Sequence, residues 1–214
     1  MSLRIALRYA SVDFYYHLWR LSILNTVLAV ALVAIGVTAL FVPLALVLLL
    51  ALGPLAAALM HCAVTVAQTE SLRLGDALTG LRLHWRRGLA LSFAGCAALA
   101  LGVLAFSFYA GAGRWAWPLS LLVFYLIASF AVLQLYLWPM AVFEPERALR
   151  AVLREAGLAL VQRPGASIGL ALVLLVVNVA GIAAAVLPFL TLTIAYSFLA
   201  AAHFALPRNS IREA

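Results

Sequence analysis

Four histidines, two cysteines and fourteen arginines are the side chains of this 214-residue chain with the most chemistry within reach. His61 and His203 fall inside long apolar runs, where an ionisable group is a functional candidate by default. Asn25 and Asn178 are strong uncharged polar groups in similar runs, and the four together define a candidate intramembrane polar site. His17 and His84 stand beside arginine and tryptophan and are expected at the membrane surface, against headgroups. Cys62 and Cys96 show no Cys-x-x-Cys spacing, and no His-x-x-x-His pattern occurs, so no metal site and no cofactor are expected.

Catalytic constellations are missing. Serine-based hydrolysis needs a nucleophile, a base and an orienting acid in reach of one another. There is no Gly-x-Ser-x-Gly elbow, and Asp13, Glu70, Asp76, Glu144, Glu146, Glu155 and Glu213 all lie in or at the edges of polar segments. The same placement removes the intramembrane carboxylate that proton-driven transport uses. No Gly-x-x-x-x-Gly-Lys loop cradles a nucleotide. No catalytic residue is assigned, and the chain is expected not to be an enzyme.

The elements that must position these residues follow from composition. Leu (46) and Ala (42) make up about two-fifths of the chain, hydrophobic residues 67% and charged residues 10%. A soluble domain carries roughly 25% charged residues, and disorder requires low hydrophobicity, so both classes are excluded. Four stretches hold no Asp, Glu or Arg, and the chain has no Lys: Leu21–Thr69, Gly88–Gly113, Trp115–Phe143 and Gly165–Pro207. A bilayer core of ~30 Å takes ~20 helical residues, so the middle two hold one span each and the outer two must fold back. Pro43 and Pro188 supply the turns, which leaves Gly53-Pro54 as a kink inside the second span and gives six transmembrane helices. Thirteen of the fourteen arginines then fall on one side and only Arg114 on the other. Both termini are therefore expected to be cytoplasmic, in a multi-pass protein of the cell inner membrane.

The polar segments are amphipathic. Leu74, Leu78, Leu81 and Trp85 recur at helical spacing beside Arg82 and Arg86, and Leu149, Val152, Leu153, Ala156 and Leu160 do so beside Arg147, Arg150 and Arg154. Glu146 and Arg150 stand at the favourable i,i+4 spacing. Arg82, Arg86, Arg87, Arg147, Arg150, Arg154 and Arg163 are the expected contacts to lipid headgroups or to a partner protein. Nucleic acid is not expected as a partner, because these arginines sit where anionic lipid competes for them. Residues 80–88 align with 157–165 at a constant offset of 77 and match at five of nine positions, and His17-Leu18-Trp19-Arg20 offers a weaker third copy. The expected fold is an all-α polytopic bundle in one domain over residues 1–214. It has six spans and three cytoplasmic-side interfacial helices, arranged as a threefold parallel repeat over 1–67, 68–143 and 144–207. Gly165, Gly169 and Gly181 are the expected helix-packing positions of the fifth span, facing either neighbouring helices or a partner.

The order of these features resembles the YesL family of small bacterial membrane proteins, which has no assigned biochemical activity. Leu24-Asn25 after the aromatic segment 14–19, the stretch Gly53-Pro54-Leu55-Ala56-Ala57-Ala58-Leu59, Asp76-Ala77-Leu78 through His84-Trp85-Arg86-Arg87, and Arg163-Pro164-Gly165 carry the resemblance. The family's Pro-x-x-Thr-x-Gly is not matched, since Pro43 lies ten residues ahead of Gly53 with no threonine between. The resemblance implies a role beside carbohydrate ABC transport components. The chain is also similar to the membrane domains attached to some glycerophosphodiesterases, without the hydrolase domain. Together these features point to a non-enzymatic membrane accessory or scaffold protein, possible partners being the bilayer and a membrane complex such as an ABC transporter. The alternative is a small-solute transporter or channel without proton-coupling carboxylates, its path lined by His61, His203, Asn25 and Asn178.

Overall fold

A computed structural model describes residues 2–184 and 189–206 of the chain. Among the described residues all regular structure is helical. Helix α1 (Leu3–Tyr16) buries Ala6, Ala10 and Asp13, an i, i+4, i+7 stripe. Helix α2 (Leu18–Phe41) is apolar on all sides and buries only Leu21, Asn25, Leu28 and Ala29. It ends at Val42, which takes an extended conformation (φ −131°, ψ 91°) because the residue before a proline is held out of the helical region.

Pro43 therefore ends α2, as its position in the sequence suggests, and the chain folds back there. At the start of α2, Arg20 donates to Leu72 O (2.6 Å) and His17 Nε2 lies 3.1 Å from Glu70 O, just past the far end of α3 (Leu52–Thr69). Pro43–Ala51 is a nine-residue 3-10 helix, and α3 continues from it. Runs of 3-10 helix beyond three or four residues are uncommon. Pro54 explains this one. Its ring cannot donate to the Leu50 carbonyl and would clash with it, so the α-helical ladder restarts at Leu52 with Pro54 in its first turn. The break expected as a mid-span kink is thus a change of helix type.

Helix α4 (Leu74–Gly111) departs more clearly from expectation. Residues 74–87 and the following span form one uninterrupted helix of 38 residues rather than an interfacial helix and a separate span. The Arg73 amide donates to Asp76 Oδ2 (2.7 Å) at its start, and no proline interrupts it. A short 3-10 turn (Arg114–Ala116) leads into α5 (Trp117–Phe143), followed by α6 (Leu149–Gln162) and α7 (Pro164–Ala183). A π-helical stretch (Phe189–Thr193) enters α8 (Ile194–Ala205). The turn expected at Pro188, and Arg208 and Arg212, lie outside the described residues. Both α1 and α6 are 14-residue helices preceding a span, whereas the middle third fuses the two elements into α4.

Five helical segments are long and apolar enough to cross a membrane: Leu18–Phe41, Val47–Thr69, Leu74–Gly111, Arg114–Phe143 and Pro164–Ala183. Thr191–Ala205 is apolar but shorter. The chain is a membrane protein by this measure. Its core is gathered at one end of the spans. Apart from Ser120 and Gly181 near the opposite ends of α5 and α7, buried residues of these helices come from the first halves of α2 and α7, the last third of α5, and from α3 and α8 along most of their length. Beyond Leu91 in α4 and before Tyr136 in α5, most large apolar side chains are exposed, as lipid contact requires.

Candidate functional site

The expected polar site does not assemble as one cavity. His61 and His203 take different partners. On α3, His61 Nδ1 lies 3.2 Å from His84 Nε2 of α4, and its ring rests on Gly80, where an added Cβ would come within 2.7 Å of His61 Cβ. His84 is fully buried rather than at a headgroup. On α8, His203 Nε2 lies 2.9 Å from Asp13 Oδ2 of α1, with Tyr9 stacked on its ring. His203 and Asp13 are both buried, so a carboxylate assigned by sequence to a polar segment is in fact part of the core.

Asn25 and Asn178, by contrast, converge on one stretch of chain. The Ala195 amide donates to Asn25 Oδ1 (2.7 Å), and Asn178 Nδ2 donates to Ser197 Oγ (2.8 Å) and Leu174 O (2.8 Å). Ser197 Oγ in turn donates to Thr193 O (2.7 Å). The reason is local. Where π-helical bonding gives way to α-helix, backbone amides change partners, and a buried amide left over costs about 1–3 kcal/mol. Asn25 supplies the missing acceptor from α2, and Asn178 braces α7 against α8. Tyr136 and Ser167 join α5 to α7 in the same way (2.6 Å). These polar groups bond one another and so act as bridges between helices.

The arginines divide into two sets. Arg87 is turned inward from α4: its guanidinium donates to Ala141 O and Glu144 O (both 2.9 Å) and to Arg147 O. A helix leaves its last four carbonyls without partners, and a cation is the favoured group there. Arg87 therefore caps α5 rather than standing free for lipid. Arg147 binds Glu144 (2.9 Å) and Glu155, and the Glu144 hydrogen bond and the Glu155 charge hold its guanidinium above the usual arginine pKa. Glu146 lies ahead of α6, which starts at Leu149, so the helical spacing expected to pair it with Arg150 does not apply. Arg82, Arg86, Arg150, Arg154 and Arg163 are exposed.

Compared with known proteins, the chain matches no family model, no curated protein and no solved structure.

The glycines that pack are mostly not the expected ones. Gly165 has open space beside it, Gly169 touches Leu3 of α1, and Gly181 is buried. The closest approach is between Gly53 of α3 and Gly88 of α4, where a Cβ on Gly53 would sit 2.3 Å from the Gly88 oxygen. Gly102 meets Ile127 of α5 in the same manner. Gly80 and Gly88, two turns apart on one face, carried the signal for the first contact.

Between α4 and α5 lies a groove of about 690 Å³. Gly95, Cys96, Gly102 and Ala105 line its α4 side, and Ile127, Phe130 and Trp138 its α5 side. Its lining runs from Leu91 to Ala105 along α4, roughly 20 Å at the helical rise. None of His61, His203, Asn25 or Asn178 lines it. Gln134 does, and its side-chain oxygen is buried without a hydrogen-bond partner among the described residues. Cys62 is buried and Cys96 lies in the groove; they are not joined.

Proposed function

We propose that the protein is a non-enzymatic accessory or scaffold subunit of the cell inner membrane, with six spans and cytoplasmic termini. It docks an apolar helix of a partner membrane protein along the α4–α5 groove. The sixth span is then the apolar Phe189–Ala205 segment, and the three arginine-bearing segments, Leu3–Tyr16, the start of α4, and α6, belong to a threefold repeat. An association with carbohydrate ABC transport rests on the resemblance to the YesL family alone.

The groove is the observation that carries the docking role. Ser92, Gly95, Cys96, Ala98, Gly102 and Ala105, beside Leu91, Leu99 and Leu101, make its α4 side, and small residues are what close helix approach in lipid requires, where no hydrophobic force drives helices together. The far parts of α4 and α5 touch chiefly each other, so this flank is left for something else to cover. Asn178 and Ser197, Tyr136 and Ser167, and His203 and Asp13 bond each other, which leaves these groups little for a solute to replace. The transporter alternative draws on the π-helical stretch before α8 and on the buried Thr193 hydroxyl, which has no partner among the described residues.

The test is purification in mild detergent from its native membrane, of the natural chain and of Gly95→Phe, which fills the groove without touching the α3 interface. A single membrane protein at fixed stoichiometry, lost from Gly95→Phe, is the expected outcome. A lone chain whose melting temperature rises with a small solute would replace docking by transport.

A further inference from the structure

Six of the arginines form three matched pairs. Arg4 and Arg8 on α1, Arg82 and Arg86 on α4, and Arg150 and Arg154 on α6 each stand four residues apart, one helical turn, and all six are exposed. None of the six has a hydrogen bond or an ion pair among the described residues; Arg86 only lies over the Trp85 ring, 5.2 Å from its centroid. Like charges at this spacing repel, so each pair is held without an internal counter-ion. Four acids are committed elsewhere: Asp13 to His203, Asp76 to the Arg73 amide, Glu144 and Glu155 both to Arg147. Arg20 and Arg87, the arginines the fold itself uses, bond backbone carbonyls instead.

The neighbours of each pair define what would satisfy it. Ile5 stands next to Arg4, Leu83 and Trp85 flank the Arg82 and Arg86 pair, and Leu153 stands next to Arg154, all exposed. A ligand must therefore offer an anion and hydrocarbon within one helical turn. A soluble anion or an acidic protein surface meets only half of that demand. A guanidinium fork matches a phosphate bidentately, and two forks carried on Cβ atoms about 5–6 Å apart can close on one phosphate from both sides.

We infer that each Arg-x-x-x-Arg pair holds the phosphate of one anionic glycerophospholipid, three per chain, with the adjacent apolar side chain against its acyl region. This deepens the headgroup-facing role of these helices and rests on it, but is independent of the α4–α5 groove. The three sites would fix the height of the protein in one leaflet at three separate elements.

The test is native mass spectrometry of the purified chain in neutral detergent, titrated with phosphatidylglycerol, with phosphatidylcholine or with inorganic phosphate. Up to three phosphatidylglycerol molecules should survive at collision energies that strip phosphatidylcholine, and inorganic phosphate should neither bind nor displace them. Each of R4Q/R8Q, R82Q/R86Q and R150Q/R154Q should lower the retained number by one. Should a Gln variant fail to insert, the matching Arg→Lys pair keeps the charge that sets topology and loses only the fork, and should bind several-fold more weakly. Equal retention of both lipids, displacement by inorganic phosphate, or unchanged binding in the pair variants would overturn the inference. Partner co-purification is unaffected by these changes if docking alone is correct, so the two proposals fail separately.

Discussion

Gly88→Ala and Gly95→Ala make the same chemical change one heptad apart on α4, and their stabilities should move in opposite directions. At Gly95 nothing lies within 4 Å of the new methyl, so the substitution brings only the helical preference of Ala over Gly, at most about 1 kcal/mol. At Gly88 the methyl would sit 2.6 Å from the Gly53 oxygen and 2.9 Å from Pro54 Cα. Both are backbone atoms, which no rotamer change can move, so α3 and α4 must separate by something under an ångström. A gap of that size removes a quarter to a half of the dispersion at each contact along the interface, and overpacking of this kind costs ~1–3 kcal/mol. Because the propensity gain is common to both variants, their difference isolates the packing cost. Reversible unfolding in mixed micelles, followed by tryptophan fluorescence as the denaturing detergent is raised, reads it directly. Gly88→Ala should be less stable than Gly95→Ala by ~1–3 kcal/mol. Equal stability of the two would refute the close α3–α4 approach.

Arg87→Gln removes the cation from two carbonyls at the end of α5 and from Arg147 O in the connection to α6, and each charged hydrogen bond is worth about 1.5–3 kcal/mol. Arg82→Gln, on the exposed face of the same helix, should stay within about 0.5 kcal/mol of the natural chain in the same melting experiment. Asn25→Leu leaves the Ala195 amide without an acceptor at the start of α8 and should cost about 1–3 kcal/mol, with faster hydrogen exchange at that amide as the specific sign. Tyr136→Phe should cost about 1 kcal/mol, the net worth of one neutral hydrogen bond, because Ser167 keeps its bond to Arg163 O.

The apolar helices were legible in the sequence because the absence of charge over twenty residues is a one-dimensional property. Val42 leaving the helix before Pro43 was legible for the same reason, since proline acts on its own neighbours. What the sequence did not disclose were relations between segments. Nothing in the composition of residues 74–87 distinguishes a helix lying in the headgroup plane from one that runs straight on into α4, because both need the same amphipathic spacing. Asp13 could have been suspected, as the third member of the stripe Ala6, Ala10, Asp13, but its partner His203 is 190 residues away. Arg87 looked like its neighbours Arg82 and Arg86, and only the position of the α5 terminus sets it apart. Gly165 and Gly169 carried the familiar small-residue spacing, yet the tightest contact fell on Gly53 and Gly88; the spacing of Gly80 and Gly88 marked a packing face on α4 but not the helix that meets it.

The docking role is tested most directly by a photo-crosslinking residue placed at Leu99, within the groove, and at Leu172 on the exposed face of α7, in the native membrane. The expected result is one adduct at position 99, mapped by peptide sequencing to an apolar segment of a single membrane protein and abolished by Gly95→Phe, with none from position 172. Lipid adducts alone at both positions, or an adduct at 99 that survives Gly95→Phe, would contradict it.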